Sequence, residues 1–187
     1  MREPIVITGM GAVTPIGVGV PAYWDSLVRG VCGIGEIEQI DTSSLPIHRA
    51  AEVREFRPKD FMPTRLVLDM EPYAQYAYAA AQEAILQAGL SGSDRVGIVM
   101  GTALHGVGIL GRTQAHLDLD GKTAEPKLLT KCMGNVAACQ FSILHHITGP
   151  SMTVSTACSS GGDAVTLASL LLTSGMADAV VVMAGEA

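Results

Sequence analysis

The sequence is poor in charged and aromatic residues, and it has no long apolar run. Charged side chains make up 16% of the 187 residues and aromatic ones 4%, and 18 Asp and Glu outnumber 12 Lys and Arg. A net charge of −6 argues against the basic patches that non-specific nucleic-acid binding requires, and against an anionic membrane surface. No apolar run reaches the ~18 residues of a membrane span. We therefore expect neither a nucleic-acid nor a membrane partner.

Metal-ligand and disulfide patterns are also missing. The four cysteines have no CxxC spacing or paired framework: Cys32, Cys132, Cys139 and Cys158. The five histidines have no HxxxH or HExxH spacing: His48, His105, His116, His145 and His146. These patterns predict free thiols and no metal site. Because the N-terminus also lacks the blocks of a secretory signal, we expect a cytoplasmic protein.

What the sequence does contain is an alternation of apolar strands and amphipathic helices. Hydrophobic residues reach 48%, which is enough for a sizeable core. Short apolar runs predict buried strands at 5–8, 96–100 and 179–183. Apolar periodicity predicts helices between Pro21 and Gly30, over 73–88 and over 136–147. Residues 101–133 are the least regular part, and the whole pattern predicts one layered α/β domain.

One glycine motif admits a second interpretation. Gly9-Met10-Gly11-Ala12-Val13-Thr14 follows a predicted strand and resembles the start of a dinucleotide fingerprint. However, Thr14 replaces the third glycine, Pro15 stands where a helix should begin, and no strand-end acid follows at the required distance. We interpret the motif as a turn that needs permissive backbone angles. A nucleotide-binding oxidoreductase is a distant alternative.

The most informative feature is a cysteine between a β-like run and an apolar segment. Residues 151–156 alternate in polarity, whereas residues 159–173 are apolar nearly all round. Cys158 is therefore predicted at a strand-to-helix corner. The unpaired N–H groups and partial positive charge of a helix N-terminus favour a thiolate, and the backbone N–H of Cys158 is placed to hold an oxyanion.

The neighbours of this cysteine are small. Ala157 and the pair Gly161-Gly162 leave room for a substrate to approach the backbone. The arrangement is typical of a nucleophile elbow, with sulfur in place of oxygen. Spacing alone leaves a second possibility open, since a free cysteine is more commonly a small buried core residue.

The same segment resembles the active-site pattern of the β-ketoacyl synthases, the condensing enzymes of fatty-acid and polyketide synthesis. The positions that fill the pattern are, in order, Gly149, Val154, Ala157, Cys158, Ser159, Ser160, Gly161 and Val165. Residues 5–17, 24–33, 95–102 and 177–186 also resemble the family, in family order. The resemblance implies that residues 1–187 are the N-terminal half of a thiolase-like fold, a layered α-β-α arrangement with a mixed, mostly parallel sheet. The C-terminal half, which supplies two catalytic histidines and a lysine in the family, is absent from these residues.

The resemblance implies an acyltransferase, a 3-oxoacyl-[acyl-carrier-protein] synthase. Cys158 would attack an acyl thioester carried on the phosphopantetheine of an acyl carrier protein, and decarboxylation of a malonyl thioester would supply the carbanion for condensation. No other cofactor is implied. Since the family's histidines lie in the absent half, none of the five histidines here receives a catalytic role, although His105 follows a predicted central strand and is placed to face a substrate. These residues alone would be an incomplete enzyme.

Further expectations come only from position in the family. Leu104 and Leu128 align approximately with residues that line the acyl pocket, the second of them across a dimer. The family's sheet continues across a two-fold axis, which implies a homodimer or a heterodimer with a related subunit. Gly162-Asp163-Ala164 resembles the type II polyketide branch as much as the fatty-acid branch, so the pathway stays open. The alternative function is a non-catalytic partner or truncated dimerising module, although such partners typically replace the cysteine.

Overall fold

The computed structural model describes residues 4–121, 123–124 and 126–187. In chain order the elements are β1 (Val13–Thr14), β2 (Gly17–Val18), α1 (Val20–Val28), β3 (Ile34–Glu36), β4 (Arg49–Ala51), a 3-10 turn (Pro58–Asp60), α2 (Thr64–Asp69), α3 (Pro72–Ala88), β5 (Val96–Gly101), α4 (Val107–Asp120), α5 (Leu128–Cys132), α6 (Val136–His145), β6 (Ser151–Val154), α7 (Ser160–Thr173) and β7 (Ala179–Ala184). Within the described residues, no helix is both long and apolar enough to cross a membrane.

A three-stranded parallel sheet forms the centre of the molecule, in the order β6-β5-β7. Ile98 of β5 is paired with Ser151 of β6 on one side and with Val181 of β7 on the other. Every residue of β5 is buried, as expected for the central strand of a parallel sheet covered on both faces. The pairs β1–β2 and β3–β4 form two separate antiparallel sheets.

Side chains of β5 alternate between two layers of core. Ile98 and Met100 belong to the larger cluster, which includes residues of α3 and α6. Val99 packs on the opposite face against α7, through Ala164, Ala168 and Leu171. Because successive side chains of a strand point to opposite faces, this alternation gives helices on both sides of the sheet. The predicted α-β-α layering is confirmed.

Helix boundaries follow the local signals for the most part. Helix α3 has Pro72 at its start and ends before Gly89, whose φ of 61° is the left-handed conformation that glycine adopts easily. Helix α1 contains Pro21 in its first turn and stops before Gly30, as predicted. Helix α6 ends two residues earlier than predicted, because His146 already takes the left-handed conformation.

Two predictions about elements are wrong. Residues 5–8 form no strand: no described strand runs beside them, and Ile7 is 81% exposed. An apolar run forms a strand only where a neighbouring strand takes up its hydrogen bonds. Residues 101–133 are more regular than predicted, since they contain α4 and α5; residues 122 and 125 lie outside the described residues. Buried Ile109 and Thr113, four positions apart, form the inner face of α4.

The glycine motif near the N-terminus is not the predicted turn: residues 9–12 form no regular element, Val13–Thr14 form β1, and the two glycines serve packing. A Cβ on Gly11 would lie 1.8 Å from the carbonyl oxygen of Ala80, and one on Gly9 would lie 2.0 Å from that of Ala84. Only glycine allows the chain to run this close to α3. A turn follows the motif at 15–16, between β1 and β2, and neither Gly9 nor Gly11 has the positive φ that permissive backbone angles imply.

Candidate active site

Three loops meet at one edge of the parallel sheet. At this edge Gly101, the last residue of β5, is paired with Val154 of β6 and with Ala184 of β7. Ligands of open α/β sheets bind outside the carboxyl ends of their strands. The loops that follow carry Leu104, Cys158 and Glu186. The fold therefore brings the predicted nucleophile to the edge at which a binding site is expected.

Cys158 lies in the corner between β6 and α7, as predicted, and it is exposed. The backbone of the preceding Ala157 is left-handed, with φ of 53°. This conformation costs a residue with a Cβ about 1–2 kcal/mol, and it is often found at functional sites. Exposure removes the alternative of a buried core cysteine. Because Cys32 and Cys139 are also exposed, the backbone setting, and not exposure, distinguishes Cys158.

The buried side chain of Ser160 stabilises the corner. Its hydroxyl, buried within the first turn of α7, donates to the carbonyl of Ala157 at 2.6 Å and accepts from the N–H of Thr156 at 3.0 Å. The hydroxyl thus satisfies one donor and one acceptor of the turn that carries the cysteine. In the sequence Ser160 stands out only as a small residue of the family pattern, so this role was not predicted.

Asp163, for which no site role was predicted, stabilises the corner from its exposed side. Its Oδ2 accepts hydrogen bonds from the hydroxyls of Thr156 at 2.5 Å and Ser159 at 2.9 Å. These bonds, first that of Thr156 and then that of Ser159, hold the pKa of the Asp163 carboxyl below its ordinary value. The available signal was the four-residue spacing of Ser159 and Asp163 at a helix start, where such side chains meet.

Space and an unpaired donor remain around the cysteine. The backbone N–H of Cys158 has no acceptor in the part of the chain that the structure describes, and it is therefore available to an oxyanion, as expected. A Cβ on Gly162 would meet nothing within 4 Å, whereas one on Gly101 would lie 2.4 Å from the carbonyl oxygen of Ser160. The end of β5 thus packs closely against the first turn of α7 at Ser160, whereas the corner is open at Gly162.

Glu186 fixes the loop that follows β5. Its carboxylate accepts hydrogen bonds from the Thr102 hydroxyl at 2.6 Å, from the N–H of Leu104 at 3.2 Å and from the N–H of Ala103. Partial burial raises the pKa of Glu186, but these hydrogen bonds, together with the nearby His105, outweigh burial and lower it. In the sequence this stretch stands out only as a segment that resembles the family, so the contact was not predicted.

His105 faces a cleft beside β6. Its backbone is left-handed, with φ of 36°, and its Nδ1 is buried without a hydrogen-bond partner among the described residues. The cleft has a volume of about 430 Å³, and its lining includes Thr102, His105, Gly134, Met152 and Ser155. The location agrees with the expectation that His105 faces a substrate, and the contact itself stays a prediction.

The two predicted pocket residues lie on different elements. Leu104 follows β5 at the same sheet edge as Cys158, and its side chain is exposed. Leu128 is the first residue of α5 and is half-buried. A Cβ on Gly106 would lie 2.3 Å from the Cα of Cys132, so the other end of α5 packs against the Leu104 loop. Their roles in acyl binding stay predictions.

His145 packs against the hydrophobic core. It ends α6, as predicted, and its ring packs on Phe141 at 4.2 Å between centroids and approaches the hydroxyl of Tyr78 at 3.5 Å. Desolvation, followed by the charge of His146, lowers the pKa of His145. Across the described residues, no group of three or more His, Cys, Asp and Glu is arranged to hold a metal ion.

A comparison with protein families decides the assignment. The profile described as "Beta-ketoacyl synthase, N-terminal domain" matches residues 2–187. The chain belongs to the β-ketoacyl synthase family. Two curated members are 3-oxoacyl-[acyl-carrier-protein] synthase 2 of Staphylococcus aureus, 32% identical, and the protein of the same name from Synechocystis sp., 30% identical; each match covers 100% of this chain and 46% of the relative. The chain thus spans about half the length of these synthases.

Solved ketosynthases share the fold. The ishigamide ketosynthase/chain length factor superposes with a TM-score of 0.80 at 28% identity, over 92% of this chain and 44% of that one. A β-ketoacyl synthase from Burkholderia phymatum gives a TM-score of 0.74 at 23% identity, over 92% and 44%. A ketosynthase in complex with its type II polyketide acyl-carrier protein gives 0.78 at 23%, over 94% and 48%. The thiolase-like fold class is confirmed.

Proposed function

We propose that this chain supplies the acyl-accepting thiol of a 3-oxoacyl-[acyl-carrier-protein] synthase. The observation that carries the proposal is the exposed Cys158 on a left-handed turn between β6 and α7, with its own N–H unpaired in the described structure. A non-catalytic partner would have no use for a nucleophile presented in this way. Membership of the synthase family supports the same conclusion.

The first step is acyl transfer to sulfur. The thiolate of Cys158 attacks the carbonyl carbon of an acyl thioester and forms a tetrahedral oxyanion, which the N–H of Cys158 stabilises. Collapse breaks the bond to the carrier's sulfur, and the carrier thiolate leaves and takes up a proton. The protein now holds the acyl group as a thioester. Each later step uses this intermediate.

The second step is condensation, which we assign to the whole protein. A malonyl thioester loses carbon dioxide, and its carbanion attacks the acyl carbon on Cys158; the carbon–sulfur bond breaks, which yields a 3-oxoacyl product on the carrier and releases the Cys158 thiolate. Both substrates are carried on the phosphopantetheine of an acyl carrier protein. The names of the curated relatives support this partner, as does the solved ketosynthase complex with an acyl-carrier protein. Fatty-acid and type II polyketide synthesis both use this chemistry.

The same proposal covers the acyl pocket, the pairing of subunits and the cellular compartment. Leu104 and Leu128 line the acyl pocket, and their size bears on the chain length accepted. The exposed edge of β6, at Ser151 to Thr153, pairs with a second synthase subunit across a two-fold axis. The exposed thiols of Cys32 and Cys139 suit the reducing cytoplasm.

The test is the mass of the protein after incubation with an acyl-acyl-carrier-protein. We expect one acyl group on the unaltered protein and none on Cys158→Ala. Cys139→Ala is the matched control, because it removes another exposed thiol and should still accept the acyl group. Acylation of Cys158→Ala at the unaltered level would refute the assignment. An unacylated protein that still dimerises with a complete synthase would instead support the partner role.

A further inference from the structure

Asp163 joins the two residues that flank the corner of Cys158. Thr156 lies two positions before the cysteine and Ser159 one position after it, and Asp163 Oδ2 accepts a hydrogen bond from the hydroxyl of each, at 2.5 and 2.9 Å. The N–H of Asp163 donates to the Ser159 carbonyl at 2.9 Å, which fixes the carboxylate one helical turn away. The carboxylate therefore links the residues on the two sides of Cys158.

No other described acceptor replaces this carboxylate for both hydroxyls. The Ser159 hydroxyl has one proton and three oxygens within reach, namely those of Asp163 at 2.9 Å and the Thr156 carbonyl and hydroxyl at 2.8 and 3.1 Å. The Thr156 hydroxyl has the carboxylate as its acceptor. Without the carboxylate, the Thr156 hydroxyl loses its acceptor and Ser159 keeps only its direct bonds to Thr156, so the left-handed Ala157 between them is held less firmly.

The negative charge of Asp163 disfavours a thiolate at Cys158. A carboxylate in the first turn of α7 is favoured by the helix dipole, but the same dipole favours the thiolate, and two negative charges at one helix end repel each other. What the carboxylate contributes is thus its oxygen as a hydrogen-bond acceptor. Asparagine keeps such an oxygen without the charge, and alanine removes both.

We infer that Asp163 is a positioning residue for Cys158, which acts through Thr156 and Ser159 to hold the thiol at the N-terminus of α7. The inference rests on the proposed role of Cys158 as the nucleophile. It concerns the geometry of the thiol, so it is testable without an acyl donor.

The experiment is the rate of alkylation of Cys158 by iodoacetamide as a function of pH, followed by mass spectrometry. Cleavage after Phe141 separates Cys158 from Cys132 and Cys139. Asp163→Ala and Asp163→Asn form the matched pair, because both remove the charge and only the first removes the acceptor. We expect Asp163→Ala to react about fivefold more slowly at neutral pH than Asp163→Asn, with its pH midpoint displaced upward.

Two results overturn the inference: equal rates and pH profiles for Asp163→Ala and Asp163→Asn, or an unchanged profile in Thr156→Val and Ser159→Ala, which keep the carboxylate and remove its donors. The second pair also decides the matter if Asp163→Ala does not fold. Failure of the proposed function has a different signature, since the unaltered protein would then remain unacylated while the two Asp163 variants still differ in alkylation.

Discussion

The carboxylate of Glu186 lies 2.6 Å from the hydroxyl of Thr102, a residue 84 positions earlier in the chain. Thr102 is 1% exposed, so its hydroxyl depends on this acceptor. The contact joins the segment after β7 to the loop after β5, beside the corner of Cys158. The shape of that loop is therefore set from the far end of the sequence.

Removing this acceptor should destabilise the protein. We expect Glu186→Ala to lower the free energy of unfolding by about 1–2 kcal/mol, because the Thr102 hydroxyl and the N–H groups of Ala103 and Leu104 lose their partner. Glu186→Gln keeps one oxygen and should lose less. Chemical denaturation measures both variants, and equal losses would show that the acceptor oxygen is not what matters.

The strain at Ala157 gives a second prediction. Ala157→Gly should stabilise the protein by up to about 1 kcal/mol, because glycine adopts a positive φ without the penalty that a Cβ brings. Ala157→Val should destabilise it by about 1 kcal/mol or more, since β-branched residues are strongly disfavoured there. Chemical denaturation tests this prediction. If the denaturant dependence of the unfolding free energy is unchanged, the midpoint concentration should be highest for glycine, lower for alanine and lowest for valine. Any other order would contradict a left-handed Ala157.

The support beneath the corner can be tested at Gly101. A Cβ there would lie 2.4 Å from the Ser160 carbonyl oxygen, so Gly101→Ala must push β5 and α7 apart, at a cost of about 1–3 kcal/mol. The matched control is Gly111→Ala in α4, where a Cβ would meet nothing within 4 Å and alanine is the better helix former by about 1 kcal/mol. Melting temperatures should therefore move in opposite directions. A neutral Gly101→Ala would refute the close approach.

The buried side of the molecule should respond to pH through His145. Its pKa is lowered in the folded state, so the unfolded chain, with a histidine pKa of about 6.5, binds more protons in the window between the two values. The contribution of neutral His145 is present above about pH 6.5 and is lost as the pH falls through the lowered folded pKa.

The measurement is the free energy of unfolding from pH 8 to pH 5 in the unaltered protein and in His145→Gln. The unaltered protein should lose more stability on acidification than His145→Gln. His116→Gln, at an exposed position of α4, is the control and should follow the unaltered protein. Parallel curves for all three proteins would refute the assignment.

The sequence predicted elements whose signals are local. The apolar period of α3, its end before Gly89 and the strand-to-helix corner at Cys158 need only a few neighbouring residues, and all three are confirmed. The failed strand at 5–8 is different, because strand formation depends on a partner elsewhere in the chain. No local pattern states whether that partner is present.

The contacts around the site were missed for the same reason. Glu186 and Thr102 are distant in sequence, and only the pairing of β5 with β7 brings their loops together. Asp163 is close to the cysteine in sequence, but an acid in the first turn of a helix is so common that its spacing alone does not identify what it binds. The direction of its side chain in the structure shows that it binds Thr156 and Ser159.

The central position of β5 also has a consequence for hydrogen exchange. Amide protons of β5 are enclosed by strands on both sides and by helices on both faces, so we expect them to exchange with deuterium only when the whole domain opens. Amides of residues 5–8, which have no acceptor in the described structure, should exchange rapidly. Because the corner of Cys158 packs on the end of β5, the thiol is attached to the part of the chain that we expect to be the most protected.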